Sequence, residues 1–249
     1  MKLFKGKVAL ITGGGSGIGR AIALALGKEG AKLCVVGRTL EKIETTAALA
    51  LKNGPMAKCY QTDLIVDEDI LKLVSQVTRD FEKLDILIHS AGFISFNVLE
   101  SASIEDLDQH YRINVRAPYV LTQLLLPMLR ASQGQVVFVN SIAAVRAARA
   151  KQSQYVATKC ALKAVADSLR EEVNADGIRV VSVYPASSAT PMQEKVCAME
   201  GKEYYPEKLM QPNDTAAMVI SALSLPRSAE VTDIIIRPMN QHTIVQDLK

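Results

Sequence analysis

Short apolar runs alternate with segments of helical periodicity along almost the whole chain, and no other feature of the sequence constrains the fold as strongly. The apolar runs are rich in Val, Ile and Leu, and they predict seven strands, at residues 7–12, 32–37, 56–61, 84–89, 135–140, 178–184 and 233–236. Helices are predicted between them, at residues 17–29, 40–51, 67–81, 103–130, 153–175 and 213–224. Strands that are apolar on both faces are typical of a parallel sheet covered on both sides. With right-handed crossovers, the sequence predicts a three-layer α/β/α, doubly wound seven-stranded parallel sheet.

The 249 residues are expected to form one domain. An apolar fraction of 49% and a charged fraction of 22% are ordinary for a globular protein, and single α/β domains often reach about 250 residues. We see no linker or repeat, so residues 1–249 are interpreted as a single unit. The one poorly patterned segment, residues 191–212, is long for a loop in a compact fold and is interpreted as a mobile flap over a site.

Charge and composition exclude several classes of partner. A formal charge of +3 is too small to predict binding to nucleic acid or to an anionic membrane, although a small anionic ligand remains possible. No apolar run approaches the ~18 residues of a membrane span, and the four scattered cysteines are typical of reduced thiols, so we expect a cytoplasmic protein. The histidines, at positions 89, 110 and 242, are too far apart in the sequence to predict a metal cluster, and no metal is expected.

A glycine-rich segment links the first predicted strand to the first predicted helix. It reads Thr12-Gly13-Gly14-Gly15-Ser16-Gly17-Ile18-Gly19, which fits Thr-Gly-x-x-x-Gly-x-Gly but not the strict GxGxxG pattern. Glycines let the backbone approach a pyrophosphate, and a helix N-terminus favours its charge. A tight structural turn is the alternative, but the position between strand and helix favours a dinucleotide site. The predicted contacts are Gly13, Gly15, Ser16, Gly17, Ile18 and Gly19.

The end of the second strand bears on the choice of cofactor. NAD-binding sites of this type place an Asp or Glu about 20 residues after the glycines, where it binds the 2′-hydroxyl of the ribose. Here Gly37 and Arg38 occupy that region, followed by Thr39. A guanidinium suits a 2′-phosphate, so Arg38 predicts NADP(H) over NAD(H), with a solvated strand-end arginine as the alternative. Asp63, beside Leu64, is predicted either to bond the adenine amine or to cap a helix.

Further motifs follow in a characteristic order. They are His89-Ser90-Ala91-Gly92 after the fourth strand, then Asn114, Ser141, Tyr155-Val156-Ala157-Thr158-Lys159, Pro185 and Thr190. With the glycine segment, they resemble the short-chain dehydrogenase/reductase family, the Rossmann-fold branch of about 250 residues. The resemblance covers residue 7 to about residue 239. It implies the catalytic tetrad Asn114, Ser141, Tyr155 and Lys159, and cofactor contacts at Leu64, Ser90, Ala91, Gly92, Tyr155, Lys159, Pro185, Ala186 and Thr190.

The tetrad has a physical rationale. A free phenol has a pKa of about 10, and the Lys159 ammonium together with an oxidised nicotinamide is expected to lower it, so that Tyr155 can exchange a proton with a carbonyl oxygen. Ser141 would bond the same oxygen, and Asn114 would position Lys159 through backbone and water contacts. A second Tyr-x-x-x-Lys, at residues 204–208, contains Pro206, which disrupts a helix.

Departures from the family pattern fall at three positions. Ser90 replaces the Asn of Asn-Asn-Ala-Gly, Ala186 replaces the usual Gly after Pro185, and His89 is interpreted as a partly buried strand residue. Substrate contacts are expected to form a largely apolar pocket, from residues 93–94 and 143–145, Tyr184, Met192, Val196, Met199 and Tyr205. Arg146, Arg149 and Lys151 are interpreted as a solvated basic loop, with attraction of a carboxylate, a phosphate or an acidic carrier protein as the alternative.

These observations predict an NADP(H)-dependent oxidoreductase that interconverts a small ketone or aldehyde and an alcohol. A 3-oxoacyl carrier-protein reductase is the alternative enzyme. A catalytically inactive, NADP(H)-binding sensor is the alternative of another class. Family resemblance also implies a homotetramer, or a homodimer, paired through the helices at 103–130 and 153–175.

Overall fold

The fold is built on one parallel sheet of seven strands. The computed structural model describes residues 2–146 and 149–239. Strands β1 to β7 are Val8–Thr12, Lys32–Gly37, Met56–Gln61, Ile86–His89, Gln135–Val139, Arg179–Pro185 and Asp233–Ile236. Their order across the sheet is β3-β2-β1-β4-β5-β6-β7, and every neighbouring pair is parallel. This confirms the predicted doubly wound sheet, and each predicted strand end lies within two residues of an observed one.

Helices cover both faces of this sheet. In the described residues, α1 to α8 are Gly17–Lys28, Leu40–Leu51, Asp67–Asp80, Ile104–Tyr111, Ala117–Ser132, Ser153–Val173, Pro191–Met199 and Pro212–Leu223. None of these helices is both long enough and apolar enough to cross a bilayer. Five of these helices, α1, α2, α3, α6 and α8, follow the prediction to within two residues at each end, and two regions, residues 103–130 and 191–212, differ from it.

The single helix predicted at 103–130 is interrupted. A π-helical turn, Arg112–Arg116, separates α4 from α5, and in it the Ala117 N–H donates to the carbonyl of Arg112, five residues back. Pro118 lies at the start of α5 and has no N–H, so the usual helical bond to the carbonyl of Asn114 cannot form. The extra residue in this turn places Asn114 at a local widening of the helix, a feature that is frequent at functional sites.

The predicted flap is more ordered than its composition indicates. Residues 191–199 form α7, and Thr190 caps it by accepting a hydrogen bond from the Gln193 N–H at 3.1 Å. Pro191 occupies the first helical position, where a missing N–H costs nothing. The irregular part is therefore limited to residues 200–211, which include a 3₁₀ turn at Pro206–Lys208 and a bridge between Ser188 and Met210.

Two cores lie on opposite faces of the sheet, because alternate strand residues point to opposite sides. Leu10 belongs to the core under α3, α5 and α6, and the adjacent Ile11 belongs to the core under α1, α2 and α8. Both side chains are fully buried. The chain reverses its winding direction between β1 and β4, and this switch point opens a crevice at the carboxyl ends of the strands, where ligands bind in open α/β sheets.

Candidate active site

A large cavity occupies the carboxyl edge of the sheet at the switch point. Its volume is about 1220 Å³, compared with roughly 300–1,000 Å³ for an ordinary small-molecule site, so it has room for a dinucleotide and a substrate. Every predicted cofactor residue except Asp63 lines it, namely Gly13, Gly15, Ser16, Gly17, Ile18, Gly19, Arg38, Thr39, Leu64, Ser90, Ala91, Gly92, Tyr155, Lys159, Pro185, Ala186 and Thr190.

The glycine segment packs too tightly to accept side chains. A Cβ on Gly19 would lie 2.5 Å from the carbonyl oxygen of Gly13, and a Cβ on Gly13 would lie 2.8 Å from the Ala91 nitrogen. Gly13 also has a φ of +65°, which favours glycine. The first turn of α1 carries no acidic side chain, and Ser16 makes no side-chain cap to it. A helix N-terminus of this kind, lining a cavity, fits the pyrophosphate of a dinucleotide.

The hydroxyl of Thr12 joins β1 to β4 across the switch point. It accepts hydrogen bonds from the backbone N–H groups of Ser90 at 3.1 Å and Ala91 at 3.3 Å, and it donates to the carbonyl of Ile88 at 3.3 Å. The Ser90 hydroxyl lies 3.1 Å from the position that a Cβ on Gly19 would occupy. Ser90 therefore contacts the glycine segment directly, even though it departs from the family pattern.

One end of the cavity is basic. Arg38, Thr39 and Lys42 line it at the start of α2, and the backbone carbonyl of Arg38 accepts a hydrogen bond from the Gln61 side chain at 3.0 Å. We did not predict Lys42, and the only sequence signal was its place in the first turn of the predicted helix, four residues after Arg38. Two cations at the expected ribose position fit a 2′-phosphate.

Asp63 belongs to the turn after β3 and is not one of the residues that line the cavity. Its carboxylate accepts a hydrogen bond from the Ile65 N–H at 3.2 Å, whereas Thr62 and Leu64 line the cavity. The local turn explains this placement, because an Asp side chain readily bonds the backbone two residues further on. In this structure Asp63 acts in the turn, and its predicted contact with adenine stays a prediction.

Ser141, Tyr155 and Lys159 meet on one wall of the cavity. Ser141 follows β5 and accepts a hydrogen bond from the Ala143 N–H at 3.2 Å. Tyr155 and Lys159 lie one turn apart in α6, both buried, with the Lys159 Nζ 5.8 Å from the centre of the phenol ring. The Ser141 side chain lies near enough to Tyr155 to affect the pKa of its phenol. This arrangement holds a hydroxyl pair and an ammonium beside space for a substrate.

Burial dominates the pKa values of this cluster. It raises the pKa of Tyr155, and the nearby Ser141 side chain opposes that shift. Burial also lowers the pKa of Lys159 to about 8. Burial thus opposes the lowering that we expect from the Lys159 ammonium together with an oxidised nicotinamide, an expectation that did not count the desolvation of the phenol.

Asn114 acts behind the cavity wall rather than in it. Its side-chain oxygen accepts from the Phe93 N–H at 2.9 Å, and its amide donates to the Phe93 carbonyl at 3.0 Å and to the Thr158 hydroxyl at 3.1 Å. A Cβ on Gly92 would lie 3.6 Å from the Asn114 oxygen and 3.9 Å from the Lys159 Nζ. Asn114 thus fastens the segment after β4 to the turn of α6 that carries Lys159.

Two neighbouring residues were not predicted. Asn140, buried at the end of β5, donates to the backbone carbonyl of Lys159 at 3.1 Å and so ties the strand to α6. His110 is fully buried and packs edge-on against Tyr155, with ring centroids 6.3 Å apart. The only sequence signals were the position of Asn140 next to Ser141 and the i−4 spacing of His110 from Asn114.

The expected substrate contacts are brought together only in part. Ile94, Ala143, Met192, Val196 and Tyr205 line the cavity beyond Tyr155, together with Phe96, Ile142 and Val156. Tyr184, by contrast, is fully buried in the sheet and does not line the cavity. Alternation along β6 explains this, because the side chain of Tyr184 points to one face of the sheet and not to its edge.

His89 is a buried strand residue, as predicted, and more completely buried than expected. Its ring stacks on Phe138 at a centroid distance of 5.0 Å, and its Nε2 lies 2.7 Å from the Thr122 hydroxyl. In the described residues, no group of three or more His, Cys, Asp or Glu side chains is arranged to hold a metal ion.

A parallel sheet with a glycine segment at its switch point and a Ser-Tyr-Lys cluster beside it defines a Rossmann-type dinucleotide-binding fold. The family model described as short chain dehydrogenase matches residues 7–201, and the chain belongs to this family of oxidoreductases.

Known proteins of the same family resemble the chain over nearly its full length. An uncharacterized oxidoreductase of Staphylococcus aureus (strain USA300) is 30% identical over 240 residues, which cover 96% of this chain and all of that protein. Among solved structures, the alcohol dehydrogenase of the archaeon Thermococcus sibiricus, complexed with 5-hydroxy-NADP, superposes with a TM-score of 0.86 at 26% identity, over 94% of this chain and 97% of that one. A short chain dehydrogenase from Burkholderia cenocepacia J2315 in complex with NADP gives 0.83 at 30% identity, with the same coverage.

Proposed function

We propose that the protein is an NADP(H)-dependent oxidoreductase that interconverts a ketone or aldehyde and the corresponding alcohol. The observation that carries the proposal is the convergence of Ser141, Tyr155 and Lys159 on one wall of a cavity whose other end is basic. Two of the similar structures were solved with NADP or 5-hydroxy-NADP, which supports the choice of cofactor.

The residues of the basic end and of the glycine segment would hold the cofactor. Backbone N–H groups at the start of α1 would bind the pyrophosphate, and Arg38 with Lys42 would bind a 2′-phosphate. When bound, the nicotinamide donates or accepts a hydride. The remaining steps belong to this chain's own side chains.

Tyr155 holds the proton that reduction of a carbonyl requires. Its hydroxyl donates this proton to the carbonyl oxygen, and in the reverse direction it accepts the proton of the alcohol. Ser141 donates a hydrogen bond to the same oxygen and stabilises the charge that develops there. Lys159 supplies positive charge beside the phenol, while Asn114 and Asn140 hold the turn of α6 in place.

The proposal is tested with purified protein and a panel of aldehydes, ketones, alcohols and one carrier-linked 3-oxoacyl thioester. Absorbance of the reduced nicotinamide is followed with NADPH, NADP, NADH and NAD. We expect turnover of free carbonyl compounds with NADPH. Binding of NADPH without turnover of any panel member would contradict an enzymatic role, and turnover of the carrier-linked compound alone would assign the alternative reductase activity.

A further inference from the structure

The cavity continues past the catalytic wall to a rim that carries two arginines, which lie between Ser141 and Tyr155 in the sequence. Arg146 and Arg149 line the cavity there, and the neighbouring Lys151 does not. Both arginines line the same cavity as Ser141 and Tyr155, so both are available to a substrate that fills this cavity with its reacting carbon next to Tyr155.

At the substrate end of the cavity, positively charged side chains outnumber negatively charged ones. Besides the two arginines, residues 200–208 contribute Lys202, Lys208, Glu200 and Glu203 to the lining. Lys202 pairs with Glu200 at 3.0 Å, Glu203 accepts a hydrogen bond from Tyr205, and Lys208 lies over the Tyr205 ring at 4.0 Å.

Arg146 and Arg149 remain outside this network. Across residues 2–146 and 149–239, the structure gives neither guanidinium a carboxylate within 4.0 Å, although nine other Lys and Arg side chains form such pairs. Two unpaired guanidinium groups at one cavity rim attract an anion, and a planar guanidinium recognises the oxygens of carboxylate and phosphate through paired hydrogen bonds.

The rim segment is fixed at both ends. Ser141 caps the 3₁₀ turn Ile142–Ala144, and the carbonyl of Lys151 accepts a hydrogen bond from the Asn97 N–H at 3.1 Å. Lys151 has a φ of +66°, a left-handed conformation that costs free energy for a residue with a side chain. Backbone strain of this type persists where the surrounding fold over-determines it. Here the strained residue lies two residues after Arg149 and two residues before the start of α6.

We infer that the substrate is a carbonyl compound with an apolar body that ends in an oxyanion, a carboxylate or a phosphate, held by Arg146 and Arg149. The apolar body would lie against Ile94, Met192 and Val196, with its carbonyl between Ser141 and Tyr155. This inference rests on the proposed function for the position of the carbonyl, but the anion site itself can be tested without turnover.

The test measures binding to the protein saturated with NADP, which fills the cofactor phosphate sites and prevents reduction of a ketone. Calorimetry compares 7-oxooctanoate and 6-oxoheptyl phosphate with the neutral 7-oxooctanamide. We expect each anion to bind at least about tenfold more tightly than the amide, and we expect added salt to reduce the difference.

The double variant Arg146→Gln, Arg149→Gln should abolish this difference in affinity. The control variant Lys151→Gln removes a charge from a nearby residue that does not line the cavity, and it should retain the difference. The stronger of the two anions identifies the end group.

Equal binding of amide and anions, or an anion preference that survives in the double variant, overturns the inference. The same compounds, followed with NADPH, separate this failure from a failure of the proposed function. If 7-oxooctanamide is reduced as efficiently as 7-oxooctanoate, the result contradicts the anion site and supports the proposed carbonyl reductase activity. If an arginine-dependent anion preference is found but no carbonyl compound is reduced, the result supports the anion site and contradicts the proposed activity.

Discussion

The ammonium nitrogen of Lys159 lies 5.8 Å from the centre of the Tyr155 ring, one helical turn further along α6. Both side chains are buried, and the Lys159 Nζ also donates to the backbone carbonyl of Val139 at 3.4 Å. Because the strand end and the helix hold the cation from two sides, its distance from the phenol is fixed by the fold. The proposed proton chemistry depends on this pair.

Replacing Tyr155 with Phe removes the proposed proton donor and keeps the ring that packs against His110. We expect reduction of any accepted carbonyl to fall by at least about 100-fold, the typical contribution of general acid catalysis, with NADPH affinity almost unchanged. Steady-state rates and NADPH titration measure the two quantities. Tyr204→Phe, in the second Tyr-x-x-x-Lys sequence, is the control and should remain active. Retention of most turnover in Tyr155→Phe would assign the chemistry to another group.

The rate of alcohol oxidation should rise with pH. Tyr155 must accept the proton of the alcohol, and the positive charge of Lys159, 5.8 Å from the centre of its ring, together with an oxidised nicotinamide favours the phenolate. The midpoint for kcat/KM is therefore expected below the free phenol's pKa of about 10 in the parent protein. In Lys159→Ala only the phenol remains, and because burial raises its pKa, the midpoint should move above pH 10.

The control for this profile is Lys163→Ala. Lys163 lies one turn beyond Lys159 in α6 and pairs with Asp167 at the surface, so its loss should leave the profile unchanged. Identical profiles in the parent and in Lys159→Ala would show that the ammonium does not set the proton affinity of the site.

Some parts of the site could be predicted from the sequence. They depend on contacts between residues close together in the chain, or on the order in which the strands follow one another. The glycine segment had to link β1 to α1, and the i+4 spacing of Tyr155 and Lys159 already put them on one helical face. The parallel sheet then brought Ser141, at the end of β5, to the same edge. Local periodicity and chain order were sufficient for these placements.

The parts that were not predicted depend on contacts between distant segments. The π turn at Asn114 has a local signal in Pro118, but its purpose appears only in the bonds to Phe93 and Thr158. The raised pKa of Tyr155 follows from burial by elements far away in sequence, which periodicity does not measure. Thr190 and Pro191 are a clear signal for the start of helix α7, but the apolar residues that follow are too weakly periodic to predict a helix.

Cofactor choice is expected to depend on Arg38. One charged hydrogen-bonding partner contributes roughly 1.5–3 kcal/mol, about 10- to 100-fold in affinity, so Arg38→Leu should weaken NADPH by that factor and leave NADH nearly unchanged. The chain has no Trp, so the fluorescence of the reduced nicotinamide can be followed directly in titrations with both cofactors.

A matched control for Arg38 is Arg79→Leu, on α3, whose guanidinium is exposed and does not line the cavity. It should leave both affinities unchanged. Substituting the adjacent Gly37 is a less direct test, because a Cβ there would lie 2.8 Å from a methyl carbon of Ile43. If Arg38→Leu weakens both cofactors equally, or if the parent already prefers NADH, Arg38 does not select the cofactor.

The buried imidazole of His89 should make the fold sensitive to acid. Burial lowers its pKa from 6.5 to about 3, so the folded protein keeps His89 neutral while the unfolded chain takes up a proton as the pH falls below 6.5. The unfolded state then binds more protons, and stability must decrease with falling pH. We expect His89 alone to remove about 2 kcal/mol from the free energy of unfolding between pH 7 and pH 5.

Urea unfolding of the parent and of two variants at both pH values isolates this contribution from the carboxylates, which titrate in all three proteins. His89→Asn should be less stable at pH 7, because it loses the stacking on Phe138, but it should lose about 2 kcal/mol less than the parent on going to pH 5. Thr122→Val removes the hydroxyl 2.7 Å from the imidazole and leaves the ring buried, so it should lower stability at both pH values and keep the pH dependence of the parent. An equal loss between pH 7 and pH 5 in the parent and in His89→Asn would mean that His89 takes up its proton as readily in the folded protein as in the unfolded chain, with solvent or a counter-charge reaching a ring that the fold otherwise isolates.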